Sequence, residues 1–391
     1  MSLPNIWKGT TQNWATGANW TAGTPNVEAG AAQAGAGSTI TLRSGASVTN
    51  SIYNGQVVFI TGGTGAGQQR IISGYVGSTK VATVSVAWSV NPDATSVYQV
   101  GDAGVFSASS SVMDIDATVG SLDQHATLLT SLTIDNSYSG AHGSATAPLQ
   151  IGAATVTIGG VTGFGQGAGS GRLYHNYGNS VFVATINILS TSQSSNEPSL
   201  PPYRFIGGGS ANYMVVNSQS GFWGIAALPG EVAFATINIV SASSANQQPT
   251  QAYIGAGATI NALEMQNGQV INQSAQTLPS VNVEGGQYVY LGTGSHTNLT
   301  VGTGASCTYA GGGNLTGTIK VSGVLDMSGD ARAKQITNGI LAYKGANINL
   351  DNGQANITAD GMNPITLYLQ QCDLSDIKLV TGQNAVNIVR S

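Results

Sequence analysis

The chain has 391 residues, of which only 7% are charged, and its formal net charge is −5. Soluble globular domains devote roughly a quarter of their residues to charge, so the polar surface here must be built from Ser, Thr, Asn, Gln and many of the 54 glycines. Apolar residues at 41% exclude a disordered chain, and twelve Lys and Arg scattered singly exclude the clustered basic face a nucleic-acid partner would need.

Residues 1–50 hold three of the five tryptophans, Trp7, Trp14 and Trp20, among Gly, Asn and Thr. Large rings in such a stretch suit two roles: a cap over the open end of a stacked β-structure, or an anchor on a partner. Both readings stand at this point. The opening MSLPNIWKGT lacks the basic-then-apolar order of a secretory signal. No apolar run reaches the roughly 20 residues that cross a bilayer. The expectation is a protein made in a cytoplasm and not exported by that route, with no membrane partner. The Ala- and Gly-rich run over 28–37 reads as a flexible loop, and a strand begins at residues 39–42.

Residues 51–101 differ in texture. QVVFIT (56–61), QRIIS (69–73), KVATV (80–84) and SVYQV (96–100) are short strands separated by Gly-rich turns. They predict a small inserted β-barrel or sheet module.

Residues 102–391 return to short strands at regular spacing, which predicts an all-β, β-helix-like solenoid. Its clearest sign is an internal copy: VATINILSTSQSSNEP at 183–198 recurs as FATINIVSASSANQQP at 234–249, an offset of 51 residues. Each copy reads as a strand, a Ser-rich loop closed by Pro, a second strand near Tyr203 or Tyr253, and a third element ending at Gln219 or Gln269. Repeats of this kind bury their apolar edges only against their neighbours. Further along, Asn298-Leu299-Thr300, Asn314-Leu315-Thr316, Asn347-Ile348-Asn349 and Asn356-Ile357-Thr358 each set one apolar residue between polar ones. That is the period of two of a half-buried strand. No segment carries a sustained helical period.

The chemical motifs are sparse. The Gly-rich runs at 63–67 and 165–171 lack the Gly-Lys-Ser/Thr ending of a phosphate loop and read as turns. Asp114 and Asp116 lack the further carboxylates of a calcium site. His125, His142, His175 and His296 have no second ligand at metal spacing. Cys307 and Cys372 read as free thiols rather than a disulfide framework. A glycan hydrolase needs two carboxylates on one face, and Glu231, Glu264 and Glu284 are the candidates, yet none lies in an aromatic-rich stretch. The expectation is a protein without catalytic residues, metal or cofactor. Beyond the N-terminal tryptophans, Phe222 and Trp223, flanked by Gly221 and Gly224, are candidate partner contacts. The alternative for this pair is that both rings close the coil interior.

Three stretches carry a resemblance. The opening WATGANW (14–20) resembles the start of many bacterial and phage β-helical surface proteins. The run GAGQQRII…VATV…W…PDATSVY (65–98) is similar to a short β-module that recurs in tailed-phage virion proteins, as is LTIDNSYSG (132–140) to a segment of the same kind of protein. The resemblance implies a non-enzymatic structural component of a phage particle, a capsid decoration or cement protein contacting the major capsid protein or other virion proteins. A tail fibre or spike that binds a host glycan or receptor is the alternative, and a depolymerase spike is the third reading. A solenoid must cover its ends or one face, so a homo-oligomer, trimer or dimer, is expected.

Overall fold

The computed structural model describes residues 5–6, 16–23, 26–106, 123–134, 150–158, 173–176, 182, 185–189, 203–208, 214–218, 221–225, 233–234, 237–241 and 250–390. Apart from two three-residue 3-10 turns, Gly17–Asn19 and Leu374–Asp376, every regular element among them is a strand. The fold is an all-β solenoid with a small β-module inserted in it. Two compact units divide the chain: Met1–Gly160 with Gly167–Asn187, and Val161–Gln166 with Ile188–Ser391.

The second unit is the regular one. One face, A, stacks parallel strands from Met214–Ser218 and Ile237–Ser241 through Ala262–Met265, Leu278–Val283 and His296–Val301 to Ile365–Leu369 and Val386–Arg390. The other, face B, stacks Gly221–Ile225, Thr250–Ile254, Gln269–Asn272, Gly286–Tyr290 and Ala305–Tyr309, and onward to Lys378–Val380. Successive coils are in register. Ala262 lies beside Ser280 and Ser280 beside Asn298, a step of 18 residues, which rises to 27 where Ile340 lies beside Leu367. Met214 lies beside Ile237, a step of 23. The 51-residue copy therefore spans about two coils rather than one. Its three predicted strands are all present as Thr185–Ile188, Tyr203–Gly208 and Met214–Ser218, and again as Ile237–Ser241, Thr250–Ile254 and Ala262–Met265.

Stacking lines up like side chains. Leu263, Val281, Leu299, Ile319, Ile340 and Leu367 form a buried column inside face A, and Trp223, Ala252, Val270, Tyr288, Cys307, Leu325 and Ile348 form one inside face B. Each fully buried aliphatic contributes about 1.5–3 kcal/mol. A third, shorter side is marked by Leu278, His296, Leu315 and Ile336. The Asn-flanked apolar residues serve all three sides: Leu299 points inward from face A, Ile348 from face B, and Leu315 and Ile357 from the third side, all buried. Alternation alone is required of them, so one tripeptide pattern fits each side.

One polar residue breaks the aliphatic column. His296 is fully buried, and both ring nitrogens meet tyrosine hydroxyls: Tyr288 Oη at 2.8 Å from Nε2 and Tyr309 Oη at 3.2 Å from Nδ1. Asn272 Nδ2 donates to Tyr288 Oη at 2.9 Å, and Tyr309 Oη donates to the Gly313 carbonyl at 3.1 Å. These partners assign the tautomer. Tyr288 donates to a bare Nε2, and Nδ1–H donates to Tyr309, so the chain of bonds is complete only with a neutral ring. Burial holds the imidazole pKa down at about 3.

In the first unit, Asn5–Ile6 and Ala103–Phe106 are parallel neighbours, and Ala103–Phe106 in turn pairs with Asp123–Ile134. The inserted module lies between these first two rungs in the chain. Its seven strands are ordered Asn26–Ala31, Val97–Gly101, Val57–Gly62, Gln69–Val76, Val81–Val84, Thr39–Thr41 and Ala34–Ala36, all antiparallel. The first and last belong to one segment of chain: Ala32 N–H bonds to Ser96 O on one side, and Gln33 N–H to Thr41 O on the other. The sheet thereby closes on itself as a barrel. The run over 28–37 is thus strand and not the flexible loop expected. Its small residues answer to close approach, since a Cβ on Gly30 would meet the Arg43 side chain and one on Gly35 the Pro92 carbonyl. Barrel and rungs join through Thr130, whose hydroxyl accepts Val57 N–H and donates to Gly101 O, both at 2.7 Å.

Candidate functional site

The tryptophans fall on both sides of the description. Trp7 and Trp14 lie outside the described residues. Trp20 is 1% exposed and packs over Gly104, where a Cβ would touch its ring. The ring is covered within the first unit, and no ring face is left for a partner. Trp223 is likewise fully buried, with Nε1 donating to Ser218 Oγ at 2.9 Å. It closes the coil interior as the alternative reading had it. Phe222 lies on the same strand, its backbone beside Gln251, and its side chain is outside the described residues.

The barrel instead presents the apolar surface. Its interior packs Val58, Ile60, Ile72, Tyr75, Ala82, Tyr98 and Val100 in one cluster. Strand alternation sends other residues out, and Ile71, Val76 and Val97 emerge as exposed aliphatics, joined from the turns by Val48, Ile52, Val86 and Val90. With Val27, eight of the fifteen exposed large apolar side chains among the described residues lie in this 26–101 module. Three gather at one end. Val48 is 78% exposed, Ile52 49% and Val76 47%, and the segment carrying Val48 and Ile52 is tied to the end of the Gln69–Val76 strand by Ser51 N–H to Tyr75 O and Gly77 N–H to Asn50 Oδ1. Ser51 has a left-handed backbone, φ 61°, a conformation uncommon for a residue other than Gly and found where surroundings over-determine it. On another flank, Ile71 and Val86 share a groove of about 420 Å³ with Arg70, Gln69 and Ala154. The Arg70 guanidinium lies 5.4 Å over the Trp88 ring.

A buried carboxylate ties the barrel together beneath this surface. Glu28 has a buried carboxylate that accepts from Arg43 Nε at 2.6 Å and Nη2 at 3.1 Å, from Tyr98 Oη at 3.0 Å and from Tyr53 Oη at 3.4 Å. Desolvation pushes the Tyr98 phenol far up, and the Glu28 hydrogen bond raises Arg43. All three partners thus stay protonated and donate to the Glu28 carboxylate. The Gly-rich turn at 63–67 is pinned by Gln68, whose side chain donates to Gly65 O and Val90 O and accepts from Ser89 N–H.

No family model matches the chain, and neither a curated protein nor a solved structure does.

Of the predicted carboxylates, Glu231 lies outside the described residues. Glu264 and Glu284 come together on face A, where Asn282 Nδ2 donates to both, at 2.8 and 3.1 Å. One amide group thus bridges the two carboxylates. Of the histidines, His142 is not described, His125 and His175 are described only as backbone, and His296 serves the interior. Among the described residues no group of three or more His, Cys, Asp or Glu could hold a metal. Asp114 and Asp116, and the Gly-rich run at 165–171, lie outside them. Cys307 and Cys372 are free, the first buried and the second half-buried. The polar network around His296 and the exposed barrel face are the features sequence reasoning missed. The period-two pattern in QRIISGYV (69–76), with Ile71 opposite Ile72, was the one available sign of the second.

Proposed function

We propose that the chain is a non-enzymatic structural protein of a tailed-phage particle, a capsid decoration or cement protein that stabilises the head. The observation that carries this reading is the barrel. It holds the 65–98 motif similar to a module of virion proteins, and it exposes a set of aliphatic side chains that a protein partner can cover. The solenoid supports the same role. Its strength comes from stacked backbone bonds and buried columns that need few charges, which suits a part that must last in a particle. On this reading the partner is the major capsid protein or another virion protein, and the copies act as a symmetric trimer or dimer.

A second reading, a tail fibre or spike that binds a host glycan or receptor, is favoured by one feature of face B. Gln251, Gln269 and Gln287 form an outward amide column, with Gln269 Nε2 donating to Gln287 Oε1 at 2.7 Å. Amides in such a row can pair with sugar hydroxyls.

The two readings part in a binding experiment. Purified chain added to heads lacking it should saturate at a stoichiometry set by the capsid lattice. Saturable binding to tails or to host cells, with none to heads, overturns the decoration reading.

A further inference from the structure

The second unit carries a groove whose chemistry no other part of the described residues shares. Beyond the ends of the face-A strands, the turns of four successive coils stack at the strand spacing of about 4.8 Å. Thr303, Ser322, Tyr343 with Lys344, and Gln371 occupy this corner, and Thr300 and Lys320 flank it in one outward column of face A. The corner encloses about 450 Å³. Backbone bonds repeat from coil to coil: Ser322 N–H to Val301 O, Tyr343 N–H to Val321 O, and Gln370 N–H to Ala342 O. The backbone beneath the lining is therefore fixed before any ligand arrives, which lowers the ordering cost of binding.

Charge singles this corner out. The protein is acidic and holds only twelve Lys and Arg in 391 residues, yet two lysines line one groove. Lys320 is exposed and has no acidic partner among the described residues. The Lys344 side chain is 80% exposed, and its Nζ makes a long ion pair with Asp376 Oδ1 at 3.8 Å, without a hydrogen bond between them. Gln371 adds a second sign. Its φ of 55° is left-handed, and strain held by the surroundings at a non-Gly residue clusters at ligand-binding positions. Hydroxyls, an amide and a tyrosine ring are the groups that meet the hydroxyls and apolar faces of sugars, and two ammonium groups add a demand for negative charge.

We propose that this corner binds an acidic oligosaccharide lying along the solenoid axis. Its carboxylates pair with Lys320 and Lys344, and a ring packs on Tyr343. The site depends on neither a head nor a tail location, so it can stand where the decoration reading fails and fail where that reading stands.

The test is a glycan array of hexuronate- and sialate-containing oligosaccharides, each printed beside its carboxyl-reduced neutral counterpart, probed with the full chain. Binding to acidic spots alone is expected, weakened by added salt and about tenfold or more weaker in a Lys320→Gln, Lys344→Gln double variant. Both side chains are exposed, and an unchanged melting temperature verifies that the variant folds. Tyr343→Ala should weaken binding without changing its salt dependence. Competition by inorganic phosphate as effective as by the oligosaccharide would reassign the corner as a simple anion site and overturn the saccharide proposal. Absence of binding to every acidic spot, or binding that the double variant retains, overturns it outright.

Discussion

Replacing His296 tests the interior logic of the solenoid most sharply. The ring is fully buried in a column with Leu278 and Leu315, so His296→Leu keeps an apolar filling and removes only the polar links. Tyr309 still donates to Gly313 O, but Tyr288 loses the acceptor for its proton while remaining wholly buried. Leaving one buried hydroxyl without its partner costs about 1–3 kcal/mol. His296→Ala adds a cavity and should cost about 2–5 kcal/mol by analogy with other large-to-small core changes. Long stacked arrays need not unfold in one step, so a local probe is preferable to a global melt. Cys307 supplies it. The thiol is fully buried in the face-B column beside Tyr288, and burial raises its pKa strongly, so labelling reports opening of these coils. In a Cys372→Ser background, His296→Leu should label Cys307 about 5- to 140-fold faster than its parent. Adding Tyr288→Phe removes the orphaned hydroxyl and should recover part of that increase, a coupling expected only of residues in one network. Labelling no faster in His296→Leu, or fully additive effects in the double variant, would refute the hydrogen-bonded chain.

Acidity probes the same residue in the wild-type protein. His296 titrates at about 3 when folded, against 6.5 when free of its surroundings, so the unfolded chain binds a proton over this range that the folded chain does not. Its contribution is fully present above about pH 6.5 and declines by about 1.4 kcal/mol per pH unit as pH falls toward 3; His296→Leu should flatten the acid limb of a stability-against-pH curve, and an unchanged slope would contradict the neutral assignment. In the barrel, Glu28→Ala leaves Arg43 and two tyrosine hydroxyls without their shared acceptor. Tyr53 and Tyr98 are buried, and each hydroxyl left without its acceptor costs about 1–3 kcal/mol, a drop that differential scanning calorimetry should register. At the exposed end of the barrel, Val48→Asp with Ile52→Asp should leave the melting temperature unchanged and abolish binding to heads; retained binding would place the contact elsewhere.

The solenoid was legible wherever alternation was strict. Residues 298–300 and 347–349 show their inward Leu299 and Ile348 directly, because a stacked strand asks only that every second residue be apolar. Coil length was not legible. The ATIN copies repeat after about two coils, and the intervening coil, with Met214–Ser218 as its face-A strand, shares no similar wording. The barrel was legible over 51–101, where β-branched residues mark the strands. Its strand at 26–36 was hidden because Ala and Gly have little strand preference; close packing against Arg43 and Pro92 selects them. The fate of the tryptophans turned on burial, which composition does not encode: Trp223 and Ile225 share the inward side of one strand. The His296 network draws on Asn272, Tyr288 and Tyr309, residues brought together only by the coil repeat.

The central claim is a structural role in a phage head, and the copy number of the chain per particle tests it most directly. Quantitative mass spectrometry of purified virions, calibrated on the major capsid protein, should find the chain at a ratio fixed by the capsid lattice, of the same order as the capsid subunit itself. A count that fits one tail assembly, or absence from the particle, would contradict the account.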